Sequence, residues 1–173
     1  MPEDPRQQMV ALLPRLRRFA FALTGSTDEG DDVVQAACER ALARLHQWQP
    51  GSRLDSWMFR IIQSIWIDRV RARRTGGSQV DLEAVVGLVG SDGRRDMEAR
   101  LTLAAVRRAM VRLPEKQRLV LVLVSVDGLS YKEASEVLGV PLGTVMSRLA
   151  RARSRLHELV YGGKKAPGAS SGF

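Results

Sequence analysis

Hydrophobic residues recur at helical spacing through most of the chain, with polar and charged residues between them. Apolar positions three or four residues apart fall on one side of an α-helix, which is the pattern of a helix that packs against a core. Residues 115–126 contain an apolar run of high strand propensity, for which we nevertheless favour a helix. The pattern predicts an all-α protein with helices over residues 6–24, 27–47, 57–74, 96–112 and 115–126.

Residues 129–159 predict a helix-turn-helix. Ser130 and Glu133 have the spacing of a capping box, in which each side chain binds a backbone N–H at the start of a helix. Gly139 suits the left-handed conformation in which helices end, and Pro141 suits the first turn of a second helix. That helix has an apolar face containing Val145 and a polar, arginine-rich face opposite. The arrangement favours DNA binding over a helical hairpin with a solvated basic face.

Glycine residues interrupt the helical pattern between residues 75 and 95. We interpret this stretch as a flexible linker, in which residues 80–89 could form a short helix or a docking segment. The chain is then expected to form two small helical domains. The predicted divisions are an N-terminal domain over 6–74, the linker over 75–95, a helix-turn-helix domain over 96–161 and a flexible tail over 162–173.

Charge is distributed unevenly along the chain, whose formal net charge is +8. Residues 28–39 contain five carboxylates and no lysine or arginine, whereas residues 60–74 contain five arginines and one aspartate. A basic surface favours a polyanionic partner such as nucleic acid. Because the acidic segment would repel such a partner, it indicates a second partner of different charge.

Aromatic residues accompany the arginines of the predicted 57–74 helix. Trp57 and Trp66 lie within it, and Trp48 lies just before it. Rings and arginines together are typical of single-stranded nucleic-acid sites, in which bases stack on the rings. The same aromatic residues could instead belong to the core of a helical bundle.

Candidate catalytic and metal-binding residues are scarce. Cys38 is the only cysteine, which excludes an intramolecular disulfide, and His46 and His157 lie far apart. No cluster resembles a nucleophile, an acid–base pair or a phosphate-binding loop, so we expect no enzymatic activity, no cofactor and no metal. The chain has no apolar run of signal-peptide or membrane-spanning type, which predicts a cytoplasmic protein.

Three segments in a characteristic order carry a resemblance to a known family. They are DEGDDVVQAACERAL at 28–42, DSWMFRIIQSIWIDRVRARR at 55–74, and the segment at 113–156 that contains the helix-turn-helix. With them the chain resembles the group IV, or extracytoplasmic-function (ECF), sigma factors of the sigma-70 family. The middle segment is especially similar to the alphaproteobacterial general-stress type. The resemblance covers about residues 8–160.

The resemblance implies three functional surfaces. The first would bind a coiled coil of the RNA polymerase β′ subunit, through Asp31, Asp32, Gln35, Glu39 and Arg40. The second would recognise and help open the −10 promoter element, through Arg53, Arg60, Gln63, Ser64, Asp68, Arg69 and Arg71. The third would bind the −35 element in the major groove, with Met146, Ser147 and Arg151 at base-facing positions and Thr144, Arg148 and Arg153 at phosphates.

The function that the resemblance implies is promoter-specific initiation of transcription in a stress or signal response. The implied partners are core RNA polymerase (its β′ and β subunits), promoter DNA and an inhibiting anti-sigma factor, without membrane insertion. A stand-alone helix-turn-helix regulator that binds duplex operator DNA is the alternative, and it would not need the acidic surface. A recombinase-like enzyme is a weaker alternative, because Tyr131 and Tyr161 lie in poor context for catalysis.

Overall fold

The computed structural model describes residues 4–77 and 94–162. Within these ranges the chain consists of helices and short connections, so the predicted all-α fold is confirmed. Most of the predicted linker, including residues 80–89, and the predicted tail beyond residue 162 lie outside the described residues. The helices are α1 (Pro5–Thr24), α2 (Thr27–Ala43), α3 (Leu54–Gly76), α4 (Arg94–Val111), α5 (Glu115–Leu121), α6 (Tyr131–Leu138) and α7 (Leu142–Tyr161).

Helices α1 and α2 form a hairpin around Gly25. This glycine has a φ of 75°, and its N–H donates to the carbonyl oxygen of Phe21 at 2.8 Å, which ends α1 after Thr24 as predicted. Ser26 caps α2 by accepting the N–H of Glu29 at 3.4 Å. Glu29 has the spacing to complete a capping box with Ser26, but its carboxylate binds Arg73 instead.

Helix α2 ends at Ala43, earlier than the predicted residue 47. The N–H of Arg44 is shared between the carbonyl oxygens of Arg40 and Ala41, each at 3.1 Å, which tightens the last turn. A 3₁₀ turn over Leu45–Gln47 follows. A non-helical connection then leads to α3, as predicted by the gap between the second and third helices.

Helix α3 is the central helix of the N-terminal half. It begins at Leu54, three residues before the predicted start at residue 57, so Asp55 and Ser56 do not cap it. Asp55 lies in the first turn and binds arginines instead. Trp66 is only 1% exposed and Phe59 stacks on Phe19 at 4.6 Å between ring centroids, which places both rings in the core.

Helix α5 passes directly into a π-helical turn over Val122–Val126. The strand propensity of this run is overridden because its side chains are buried within the helical bundle, Leu119 to Leu123 being almost completely covered. The N–H of Asp127 donates to the carbonyl oxygen of Val122 at 3.0 Å, the spacing of a π-helix. The predicted helix is therefore confirmed, with a changed pitch at its end.

Helices α6 and α7 form the predicted helix-turn-helix. Both hydrogen bonds of the Ser130–Glu133 capping box are present, at 2.7 and 3.1 Å. Gly139 ends α6 with a φ of 64°, and the Ser135 hydroxyl donates to the carbonyl oxygen of Val140 at 2.6 Å across the turn. Val145 is fully buried on the inner face of α7. Gly139 serves the turn through its left-handed φ, since a Cβ at this position would meet no atom within 4 Å.

The N-terminal and C-terminal halves contact each other and share one hydrophobic core. Helix α1 contacts α4 and the π-helical turn, and α3 contacts α6. The end of α1 approaches the end of α4 so closely that glycine is required at residue 25, because a Cβ on Gly25 would lie 2.7 Å from Cγ2 of Val111. The two halves are therefore in a closed arrangement, with α6 against α3.

Candidate nucleic-acid interfaces and the acidic surface

The five residues predicted to bind polymerase lie on the outer side of α2. We call Asp31, Asp32, Gln35, Glu39 and Arg40 the acidic surface. Its central members Asp32, Gln35 and Glu39 are exposed, and the inner side of the helix is buried through Val34 and Ala37. The amide of Gln35 donates to the Glu39 carboxylate at 3.2 Å. The surface is therefore continuous and open to a partner.

Asp31 differs from the rest of the acidic surface because it already has an internal partner. The Arg17 guanidinium of α1 donates to both Asp31 oxygens, from Nε at 2.8 Å and from the terminal nitrogen at 2.9 Å. The hydrogen bonds and charge of Asp31 raise the pKa of Arg17 above its ordinary value. A bidentate pair of this kind fixes the orientation of the carboxylate at the edge of the surface.

The predicted −10 surface lies on α3 and at the residue before it. Arg60, Ser64, Asp68 and Arg71 are exposed, and successive members three or four residues apart form a ridge along the helix. Arg69 is half-buried. A polar ridge with two arginines can bind phosphates and base edges. The structure thus brings these five residues together on one helix.

Arg53 and Gln63 complete the predicted set, but both contact the C-terminal half. The Arg53 guanidinium pairs with the Glu133 carboxylate of α6. Nε2 of Gln63 donates to the carbonyl oxygen of Val137 at 3.1 Å. The other amide atom, Oε1 of Gln63, is buried without a hydrogen-bond partner among the described residues. Helix α6 therefore covers Gln63 and contacts Arg53, whose side chain remains 49% exposed.

Asp55 anchors the arginines beside this contact. It accepts hydrogen bonds from Arg15 and Arg53, each at 2.7 Å, and from the N–H of Ser56 at 2.7 Å. Burial alone would raise the pKa of Asp55, but these hydrogen bonds and the charge of Arg53 lower it to about 2. The carboxylate stays ionised and holds both guanidinium groups in place.

The predicted −35 surface lies on the outer face of α7. Ser147, Arg151 and Arg153 are exposed, as is Met146, whose side chain is 51% exposed. Thr144 and Arg148 are half-buried nearer the turn, and the Ser147 hydroxyl donates to the carbonyl oxygen of Thr144. In the described part of the chain, no carboxylate forms an ion pair with the three arginines of this set. Their charges are available to a polyanion.

Arg118 of α5 is a buried charged residue that the sequence pattern did not indicate. It is 7% exposed and donates to the carbonyl oxygens of Leu23 at 2.6 Å, Leu113 at 3.2 Å, and Val111. Its guanidinium lies 5.3 Å from the centre of the Trp66 ring. Burial lowers the pKa of Arg118 to about 10, against the attraction of nearby carboxylates. No local pattern distinguishes it from the surrounding basic residues.

Asp127, just after the π-helical turn, was also missed. Its side chain is fully buried, with one oxygen 3.4 Å from Nε of Arg15 and 3.6 Å from a terminal nitrogen of Arg18. Burial raises the pKa of Asp127, and the two arginines oppose that shift. The sequence shows only an Asp-Gly pair of the kind found in turns. Arg118 and Asp127 both lie where the two halves meet.

The described residues offer little for other chemistry. They contain no group of three or more His, Cys, Asp or Glu side chains placed to hold a metal ion. No helix within residues 4–77 and 94–162 is long and apolar enough to cross a membrane. The organised polar surfaces on the described helices are thus the acidic one on α2 and the basic ones on α3 and α7.

Two protein families match separate parts of the chain. The family described as the Sigma2 domain of PhyR matches residues 9–63, and the family described as Sigma-70, region 4, matches residues 103–156. The first match contains the acidic surface and the first part of α3. The second contains the whole helix-turn-helix up to residue 156.

Relatives and solved structures extend the similarity over most of the chain. The ECF RNA polymerase sigma factor EcfG of Rhodopseudomonas palustris (strain TIE-1) is 38% identical over 161 residues, covering 93% of this chain and 87% of that protein. The sigma factor RpoE of Bartonella quintana, crystallised with the anti-sigma factor NepR, is 28% identical with a TM-score of 0.75, covering 92% of this chain and 98% of that one. CnrH, in complex with the cytosolic domain of CnrY, is 28% identical with a TM-score of 0.68, covering 92% and 89%.

Proposed function

The chain belongs to the ECF RNA polymerase sigma factors, and on this premise we propose that it binds core RNA polymerase and directs the enzyme to specific promoters. The observation that carries the proposal is the presence of an open acidic surface and two basic surfaces on one small chain. A protein that bound only DNA would have no use for the acidic surface, because DNA repels carboxylates. A factor that joins polymerase to DNA needs surfaces of both kinds.

Polymerase binding is assigned to the acidic surface of α2. Asp32, Gln35 and Glu39 are exposed and supply carboxylate and amide groups to a basic partner surface on the β′ subunit. The Arg17–Asp31 pair lies at the edge of this surface and can exchange partners at little cost, because exposed ion pairs are weak. The β subunit is the second polymerase partner, and we assign no residue to it.

Promoter recognition is divided between α3 and α7. The exposed ridge of α3 contacts the −10 element, where arginines bind phosphates and the unstacked bases meet polar side chains. On α7, Arg151 and Ser147 contact base edges of the −35 element in the major groove, and Arg148 and Arg153 bind phosphates. These roles correspond to an N-terminal domain over 6–74 and a helix-turn-helix domain over 96–161, joined by a linker over 75–95.

Regulation by an anti-sigma factor belongs to the proposal. Two structures of similar fold hold sigma factors, RpoE and CnrH, in complexes with the anti-sigma factor NepR and with the cytosolic domain of CnrY. We assign this chain to a stress or signal response on the strength of its resemblance to general-stress members. It acts in the cytoplasm, where bacterial polymerase meets promoter DNA, and acts without catalysing a reaction of its own.

Transcription in vitro with core polymerase and a promoter library tests the function. The expected result is initiation from a subset of templates that share two sequence elements, read from the transcripts. A stand-alone regulator would instead bind duplex DNA through α7 and give no transcripts above the level of core polymerase alone. That second outcome, obtained with a folded chain, would overturn the proposed function.

A further inference from the structure

Two large apolar side chains are exposed at the start of α7. Leu142 is the first residue of the helix and Met146 follows it by four positions, so the two lie next to each other on one side. They are 47% and 51% exposed, whereas Val145 and Leu149 on the inner face of the same helix are buried. Their apolar surface is therefore available to a partner.

The outer face of α7 presents different chemistry on its two sides. Ser147 is exposed and lies between Met146 on one side and Arg151 on the other, because successive residues of a helix are turned by about 100°. Arg153 lies two turns beyond Met146, so the side of Met146 is apolar only at the start of the helix. The side of Arg151 is basic along its length, with a ridge made of Arg148, Arg151 and Arg155.

The apolar pair lies where a recognition helix meets the bases. In a helix-turn-helix the second helix enters the major groove with its N-terminal residues against base edges. Leu142 and Met146 belong to the first turns of α7, and they continue the predicted −35 surface from Ser147. Contact with DNA at this surface would therefore cover both apolar side chains.

Met146 cannot recognise a base by the hydrogen bonds that an arginine makes. Its side chain has no donor, and its thioether is only a weak acceptor. Against the polar edge of guanine, adenine or cytosine it would displace water from groups that then lose a hydrogen bond. The 5-methyl group of thymine is the apolar group that a base presents in the major groove.

We propose that Met146 determines specificity at the −35 element by contacting the 5-methyl group of a thymine, with Leu142 extending the apolar contact. The inference deepens the proposed function, from which it takes the placement of α7 in the major groove. The element then contains an A·T pair recognised through its methyl group and a second pair recognised by Arg151. Because the methyl contact involves no charge, it contributes to specificity without contributing to the salt dependence of binding.

Replacing thymine with uracil tests the contact, because it removes the methyl group and leaves base pairing unchanged. A duplex is first selected from a random library by binding to the full chain, alone and with core polymerase. Each A·T pair of the selected element is then changed singly to A·U, and the affinity is measured by fluorescence anisotropy at fixed salt. Wild-type protein is expected to bind about three- to fourfold more weakly at one position, the loss that corresponds to one buried methyl group.

Three variants identify the side chain that senses the methyl group. M146Q is expected to lose the uracil penalty at that position and to keep the wild-type salt slope. M146L retains an apolar side chain and is expected to keep the penalty. The matched control is M97Q, the same substitution at a methionine of α4 that is 61% exposed, and it is expected to behave as the wild type. All three substitutions leave helix propensity nearly unchanged.

The outcomes separate this inference from the proposed function. A uracil penalty present in the wild type, M146L and M97Q and absent in M146Q supports thymine recognition by Met146. Equal penalties in the wild type and M146Q, or selection of an element without an A·T pair, overturn it. If the penalty depends on Met146 but core polymerase adds nothing to binding, the inference holds for a stand-alone regulator and the proposed function fails. Selection of no sequence under either condition overturns both.

Discussion

The Arg118 guanidinium donates a hydrogen bond of 2.6 Å to the carbonyl oxygen of Leu23, joining α5 in the C-terminal half to the end of α1 in the N-terminal half. The residues are 95 positions apart in the sequence. The same guanidinium binds the carbonyl oxygens of Val111 and Leu113, so it connects the ends of α1 and α4. One buried cation thereby fixes the relative position of three chain segments.

Replacing Arg118 with alanine is expected to lower the free energy of unfolding by about 2–4 kcal/mol, because several buried carbonyls lose their donor and a cavity forms beside Trp66. Urea denaturation followed by tryptophan fluorescence measures the change. The control is Arg112→Ala at an exposed position of the neighbouring connection, expected to cost under about 0.5 kcal/mol. Equal small losses in both variants would contradict the structural role of Arg118.

The Asp55 carboxylate should give the chain a pH-dependent stability. Its pKa in the folded state is about 2, below the ordinary value of 3.8. A lowered pKa contributes stability that is present above pH 3.8 and lost as the pH falls through about 2. Asp55→Asn is therefore expected to cost about 1 kcal/mol near neutral pH, after allowance for screening by solvent, and almost nothing near pH 2. Denaturation of both proteins at the two pH values tests this, and a constant difference would refute it.

Reversing the charge of Asp31 and Asp32 to lysine is expected to weaken capture of core polymerase about tenfold or more, because like charges then face each other across the contact. Binding of duplex DNA by α7 should remain, since the changes lie on α2. Pull-down with core polymerase and a separate duplex-binding assay measure the two effects. Reversal of Glu98 and Glu158, with the same change in net charge, is the control. Unchanged capture of core polymerase by the α2 variant would contradict the assignment of polymerase binding to the acidic surface.

Arg151 and Arg148 are expected to respond differently to alanine substitution. Loss of a base contact at Arg151 should reduce the free energy of DNA binding by about 1–3 kcal/mol for sites with the correct base pair at one position of the −35 element. Changes at the other positions should have little additional effect. Loss of a phosphate contact at Arg148 should weaken all sequences similarly and reduce the salt slope by about 1. Binding to a set of single-base variants at several salt concentrations measures both. The same uniform loss in the two variants would show that the assigned roles are wrong.

The sequence alone determined the features that depend on neighbouring residues. The capping box of Ser130 and Glu133, the helix end at Gly139 and the buried Val145 are visible as spacings, because helix starts, ends and faces follow from hydrogen bonds and periodicity over a few positions. The helix-turn-helix and the exposure of the acidic surface could therefore be predicted. The assignment of binding roles to their residues remains a prediction.

Only the tertiary structure decided which side chains meet across the chain. Glu29 has the spacing of a capping residue, yet it binds Arg73, 44 positions away. Gln63 is aligned with the other −10 residues in the sequence, yet α6 covers it. Such pairings depend on how whole helices pack, since burial and desolvation decide which charges must find partners and no local spacing encodes them. The contact between α3 and α6 is likewise decided by the packing of whole helices and could not be predicted from the sequence alone.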